Sequence, residues 1–263
     1  MSKTWFPGHM QKAVRLLKEN ASYLDLLVII LDARIPFTSR NIILEKTFHR
    51  PKKIFVLNKS DLANPNITTS WVRYLKMSGI RVVQASAGRI RSLEKLIFSI
   101  SGKGNSASIF KIMIAGIPNV GKSSIINRLA HGSKAKVSDL PGTTRGKQWI
   151  QLGNGIALLD SPGVIPPAMK SQTARWKLAA CGCIAMRGNL PHEASVSLLE
   201  YMRRYHEPGM PEIPENFETF AIEMNFIKPG GEPDRDRAEL FFLKRFAEGK
   251  FGRYSLEIPG NIK

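Results

Sequence analysis

Eight consecutive residues, Gly116-Ile117-Pro118-Asn119-Val120-Gly121-Lys122-Ser123, hold the densest chemistry in this 263-residue chain. Glycines at the first and sixth places let backbone N–H groups wrap an anion. The lysine that follows supplies a cation for phosphate oxygens, and the serine hydroxyl a ligand for Mg²⁺. The pattern assigns Asn119, Val120, Gly121, Lys122, Ser123 and Ser124 to the phosphates of a nucleotide, with Lys122 also neutralising charge during phosphoryl transfer. Asp160-Ser161-Pro162-Gly163 stands 38 residues beyond Lys122, directly after an apolar run. Asp160 is expected to hold Mg²⁺, usually through water, and the Gly163 N–H to feel the γ-phosphate. Of the pair Thr143-Thr144, Thr144 is expected to cap the metal and the γ-phosphate.

A second constellation reads a base. Asn58-Lys59-Ser60-Asp61 ends the run KIFVLN, and Ser86-Ala87 ends RVVQAS. The Asp61 carboxylate can accept from guanine N1–H and N2–H₂ together, a pair of donors adenine does not offer. Each charge-assisted bond contributes about 1.5–3 kcal/mol, so discrimination of several thousandfold is within reach. Asn58 is expected to support the loop and reach the base, the Lys59 stem to lie along its face, and Ala87 N–H, beside Ser86, to meet guanine O6. The bound nucleotide is thus GTP or GDP. The order is unusual, because the base-reading quartet precedes the phosphate loop by about sixty residues.

Loops of this kind need strands that end beside one another. Apolar, β-branched runs occur at 26–33, 53–58, 81–86, 110–116, 148–152 and 156–160, with helix-like segments at 8–22, 68–78, 91–100 and 121–131. The alternation predicts a six-stranded, mainly parallel α/β sheet covered on both faces. Gly153-Asn154-Gly155 predicts a hairpin, hence one antiparallel strand. Ligands in such folds bind beyond the carboxyl ends of the strands. SGKGNSAS at 101–108 is a flexible linker between the two halves of the site. After Pro166-Pro167 the pattern turns wholly helical, near 171–187, 192–206, 216–226 and 234–248, which places a domain boundary near 168. The expected units are 1–168 for the nucleotide domain and 169–263 for a small all-helical one.

Composition narrows the setting. The hydrophobic fraction is 43% and the charged fraction 23%, and no apolar run approaches the roughly 18–20 residues that span a bilayer. MSKTWFPGHM lacks a signal-peptide core, and Cys181 and Cys183 are too few for a disulfide framework. These features predict a cytoplasmic protein with buried thiols and no membrane partner. The net charge is +18, and residues 1–168 carry +17 of it. Such a field favours a polyanion with steeply salt-dependent affinity.

The order NKSD, SA, GIPNVGKS, PGTTR, DSPG resembles that of circularly permuted P-loop GTPases. WFPGHM, DARIPFTSRN and KPGGEPDRDRA are similar to segments of the ribosome biogenesis GTPase A (YlqF-type) family. The resemblance covers the whole chain. It implies a permuted GTPase domain followed by a helical domain, GTP hydrolysis, and binding to rRNA or a large-ribosomal-subunit precursor with release on hydrolysis. A monomer is expected.

Permutation changes the exit from DSPG. Here that loop leads through VIPPAM into the helices, about ten residues away and stiffened by Pro166-Pro167, so γ-phosphate binding is expected to move the helical domain as a lever. Many GTPases place a water-orienting glutamine directly after D-x-x-G, whereas this chain has Val164, so unaided turnover is expected to be slow. The missing group is worth about 10³–10⁵ in rate in comparable systems. His9 is one candidate to replace it. Asn119 is the other, since it resembles the asparagine that helps related GTPases bind K⁺ between the phosphates. RNA contact is expected from His131, Lys134, Lys136, Arg145 and Lys147 around the first switch, from Arg34 and Arg40, and from Arg203-Arg204 or Lys244-Arg245. Two other readings stay open: a nucleotide-gated RNA-binding scaffold with incidental hydrolysis, and a GTPase acting on another RNA.

Overall fold

The computed structural model describes residues 24–48, 51–86, 89–102, 109–131, 136–138, 149–153, 155–160 and 171–260. The front part runs β1 (Leu26–Asp32), α1 (Ile42–Thr47), β2 (Lys52–Asn58), α2 (Pro65–Met77), β3 (Val82–Gln84) and α3 (Arg91–Ser101). Next come β4 (Phe110–Ala115), α4 (Lys122–His131), β5 (Lys136–Ser138), β6 (Trp149–Gly153) and β7 (Ile156–Asp160). The rear part is helical: α5 (Gln172–Ala180), α6 (Leu190–Tyr205), α7 (Phe217–Glu223) and α8 (Arg235–Ala247). The expected segment at 8–22 lies outside the described residues.

One sheet joins all seven strands in the order β3-β2-β1-β4-β7-β6-β5. The six expected strands are present, and the three-residue β5 adds a seventh at the edge. From β3 to β7 the pairing is parallel, whereas β6 pairs antiparallel to both β5 and β7. β1 reads LLVIILD with every residue buried, the continuous apolar pattern of a strand covered on both faces. Its side chains alternate between two cores. Leu26, Val28 and Ile30 share one with Leu93 and Ile97 of α3 and Ile125, Ile126 and Leu129 of α4; Leu27, Ile29 and Leu31 share the other with Trp71 and Leu75 of α2. Each buried side chain of this size contributes about 1.5–3 kcal/mol.

The first core continues into the helices through Leu178, Ala179, Leu198, Met202, Phe242 and Phe246. The chain end ties the parts further. Leu256 N–H donates to the Arg34 carbonyl (2.8 Å), and the Glu257 carbonyl accepts from Trp71 Nε1 (2.9 Å). The Glu257 carboxylate accepts from Phe37 N–H (2.7 Å) and the Thr38 hydroxyl, and pairs with Lys177.

Of the boundaries that differ from the sequence expectation, two have a clear local cause. α2 begins at Pro65 rather than 68, because Asn64 caps it by accepting from the N–H groups of Asn66 and Ile67 while proline sits in the first turn. α5 stops at Ala180 rather than running to 187. Gly182, with φ 70°, donates to the Ala179 carbonyl and Cys183 N–H to that of Leu178, a glycine-terminated Schellman cap.

Candidate nucleotide site

Parallel pairing brings the carboxyl ends of five strands to one edge. Asp32 lies opposite Asn58, Leu57 opposite Gln84, and Ile114 opposite Asp160. The base-reading quartet, the Ser86 strand end, the phosphate loop and the Asp160 strand end therefore leave the sheet side by side, although the chain visits them in the reversed order. β1 stands between β2 and β4.

Asn58 joins the two halves directly. Its Nδ2 donates to the Val120 carbonyl at 2.7 Å, and the side chain is almost wholly buried. Its Oδ1 is buried without a hydrogen-bond partner among the described residues, an acceptor left for a ligand donor or for water. Lys59 adopts φ 56° and its Nζ lies 3.2 Å from Asp32 Oδ2. Ser60 fixes the loop to the next strand, with its N–H (3.1 Å) and hydroxyl (2.8 Å) both donating to the Ala85 carbonyl. Asp61 is exposed beyond this tethered turn, and Ser86 is at the margin of burial, its N–H and carbonyl exchanging bonds with Arg89.

The phosphate loop bridges β4 and α4, so the first N–H groups of that helix face whatever the loop encloses. Two glycines are demanded by close approach. A Cβ on Gly116 would meet the Ile30 carbonyl oxygen at 2.6 Å, and one on Gly121, at φ 96°, would lie 2.2 Å from Asn58 Nδ2. Val120 is buried, Ser123 and Ser124 are exposed, and Lys122 Nζ donates to the Ile117 carbonyl at 3.0 Å, folding over its own loop. Asn119 takes φ 59° and its Nδ2 donates to the Gly182 carbonyl at 2.7 Å. A glycine loop that opens a helix N-terminus, with a lysine and exposed hydroxyls beside it, suits a polyphosphate with a hard metal ion. Ala87, Thr144, Gly163, Val164 and His9 lie outside the described residues, and of Asp160 only the backbone is described.

Sequence reasoning missed Asp32. It is fully buried and accepts from Arg34 N–H and Nε at Oδ1 (both 3.0 Å) and from Arg34 Nη2 at Oδ2 (2.8 Å). Burial raises its pKa, but Arg34 and then Lys59 outweigh that and hold the carboxyl below its ordinary range. The available signal is DAR, a carboxylate two residues before an arginine at a strand end.

Arg34 therefore corrects an expectation: it is not an RNA contact. Its side chain is 1% exposed and committed to Asp32 and helix-end carbonyls. Arg40 is likewise engaged, donating to Glu45 from Nε (3.0 Å) and Nη2 (2.7 Å) while lying over the Phe55 ring. In the helical part Arg245 is half-buried between the Phe241 and Phe251 rings, and Arg203 donates to the Glu215 carbonyl; Arg204 and Lys244 are exposed. Lys134, Arg145 and Lys147 lie outside the described residues, as do the side chains of His131 and Lys136. Cys181 and Cys183 are free and buried, as expected of packing thiols.

The sequence model of a family described as "50S ribosome-binding GTPase" matches residues 111–205, taking in the phosphate loop and Asp160 and leaving NKSD upstream. Ribosome biogenesis GTPase A of Priestia megaterium is 33% identical over 285 aligned positions, covering 100% of this chain and 99% of that one. The Thermotoga maritima protein of that name is 34% identical, covering 98% and 95%. The crystal structure of GNP-bound YlqF from T. maritima superposes with a TM-score of 0.74 at 30% identity, over 95% of this chain and 100% of that one. A permuted order of site elements, a fold shared with that structure and likeness along the full length agree, and the chain is a GTP-binding, GTP-hydrolysing member of the ribosome biogenesis GTPase A family.

Proposed function

We propose that this GTPase is an assembly factor of the large ribosomal subunit, binding rRNA or the subunit precursor according to its nucleotide state. The observation that carries the reading is full-length likeness to ribosome biogenesis GTPases in a chain whose first 168 residues hold a charge of +17. Asp61 reads the base, with Asn58, Lys59, Ser86 and Ala87 around it. The phosphates lie against residues 119–124, where Lys122 exchanges the Ile117 carbonyl for phosphate oxygens. Ser123, Thr144 and Asp160 hold Mg²⁺, a set of hydroxyl and carboxylate oxygens that suits a hard cation. Gly163 senses the γ-phosphate.

With Val164 in place of a water-orienting glutamine, hydrolysis is slow alone and stimulated by the subunit. His9 or a K⁺ ion supplies the missing group. Asn119 fits the second role, because its amide nitrogen donates to the Gly182 carbonyl and an amide oxygen is a hard ligand that suits such a cation. Units 1–168 and 169–263 work as a nucleotide domain and a lever, in a monomer acting in the cytoplasm. Among the described residues no helix is long and apolar enough to cross a membrane.

The test is GTP turnover in potassium against sodium, with and without large ribosomal subunits. Stimulation by subunits in potassium supports the reading. Val164 favours one rival, a nucleotide-gated RNA-binding scaffold with incidental hydrolysis. Subunits that bind in the GTP state without accelerating single-turnover cleavage establish that rival instead. Stimulation by a different RNA with none by the subunit assigns another RNA substrate.

A further inference from the structure

The motif DARIPFTSR is not consumed by nucleotide chemistry, yet it occupies the centre of the sheet edge. Asp32 ends β1 between the base strand β2 and the phosphate strand β4, and one buried carboxylate there holds both Lys59 and Arg34. The Arg34 guanidinium is spent entirely inside the protein. Beyond its bonds to Asp32, Nη2 donates to the Cys181 carbonyl (3.4 Å), and Nη1 to those of Phe246 (3.4 Å) and Ala247 (3.2 Å). These carbonyls close α5 and α8, where a helix presents its negative end and welcomes a cation. From the phosphate side, Asn119 donates to the very next carbonyl, that of Gly182.

Two consecutive carbonyls, Cys181 and Gly182, are therefore gripped by two different parts of the site, the β1 end through Arg34 and the phosphate loop through Asn119. We propose that Asp32 and Arg34 are positioning residues for guanine recognition, acting through Lys59, and that the Cys181–Gly182 turn makes seating of the helices depend on both base and phosphate occupancy. This rests on the reading of Lys59 and Asn119 as nucleotide contacts. Asp32 anchors the ammonium so that the Lys59 stem lies ready for the base. A base that settles on Lys59 stiffens Asp32, and with it the Arg34 grip on the ends of α5 and α8. Linkage makes the effect reciprocal: whatever loosens the grip weakens nucleotide binding by the same factor.

The test is a double-mutant cycle on GDP affinity with Arg34→Lys, which keeps the charge but not the fork, and Lys59→Met, which keeps the stem. Each single change is expected to weaken GDP by about five- to tenfold, and the double change by no more than the larger single. Losses that multiply, or an Arg34→Lys loss under about twofold, overturn the coupling. If Lys59→Met alone leaves GDP affinity intact, the ammonium held by Asp32 does not position the stem and the coupling falls, while an Asp61→Asn chain that still prefers guanine would overturn the base-reading assignment separately.

Asn119→Ala, on an exposed residue, guards against a misfolded Arg34 variant. In the wild-type chain GDP is expected to slow amide exchange at 178–183 and 246–249 as well as in the site loops. In Asn119→Ala the slowing at 178–183 is expected to fall even when GDP is saturating. Protection confined to 58–61 and 116–124, or unchanged at 178–183 in the variant, overturns the proposal.

Discussion

Asn58 Nδ2 and the Val120 carbonyl, 62 positions apart in sequence, meet at 2.7 Å in a buried hydrogen bond. The end of the base strand and the middle of the phosphate loop are one mechanical piece, whatever the order in which the chain builds them. Truncation in Asn58→Ala leaves a buried carbonyl unpaired, a loss of about 1–3 kcal/mol. GDP affinity measured by calorimetry is expected to fall about tenfold or more, with the helical far-ultraviolet signal retained.

The same contact explains the sensitivity of its neighbour. A methyl group at Gly121 would stand 2.2 Å from Asn58 Nδ2 on a backbone already at φ 96°. Gly121→Ala is expected to abolish detectable binding of a fluorescent GDP analogue while thermal unfolding remains cooperative. Retained binding would show that the loop can re-form around the side chain.

Asp61 accepts and does not donate, so its base preference can be inverted. Asp61→Asn gives an amide that donates to a carbonyl, which xanthine carries where guanine has its amino group. Competition binding is expected to show GTP weakened about a hundredfold or more and xanthosine triphosphate strengthened.

The clasp has an acid limit. The Asp32 carboxyl titrates below its ordinary value, so the stability it contributes is fully present above the unfolded-state pKa of about 3.9 and disappears as pH falls through the lower folded value. Denaturant midpoints are expected to hold through mildly acid solution and to drop below it. Asp32→Asn removes that acid-dependent share and leaves Arg34 buried without its counter-charge, at a cost of about 3–5 kcal/mol at neutral pH.

At the thiols burial prevails over the nearby cations. It pushes Cys183 up to about 12 and Cys181 well above the ordinary thiol range, so both are neutral in the folded chain. Alkylation at pH 8 is expected to proceed only through unfolding, with a rate that rises with denaturant as the helical signal is lost. Fast labelling of the folded protein would mean that the turn after α5 opens by itself.

Much of the site is legible because its residues are punctuation. Glycines that admit no Cβ, a lysine after them and polar quartets ending apolar runs announce themselves by type, and their shared edge follows from parallel pairing. The end of α5 is legible in principle at Gly182, yet helical periodicity on both sides conceals it. Arg34 escapes local reading for a deeper reason, whereas the carboxylate that engages Arg40, Glu45, stands only five positions on. A basic residue after a strand reads the same whether it meets solvent or a helix end from 147 or more positions away, and only tertiary contact separates the cases. Long-range partners such as Gly182 for Asn119 and Phe37 for Glu257 have no local signature at all.

The place of β1 has a consequence for biosynthesis. This strand is made before its neighbour β4, so a nascent chain that has completed β1, β2 and β3 carries an open edge of unpaired backbone groups, flanked by apolar side chains, where residues 110–115 will later pair. Such a border invites mispairing while translation continues. The border stays open until residues 110–115 have emerged, and the Glu257 lock across Phe37 and Thr38 forms only after a further stretch of chain has been made.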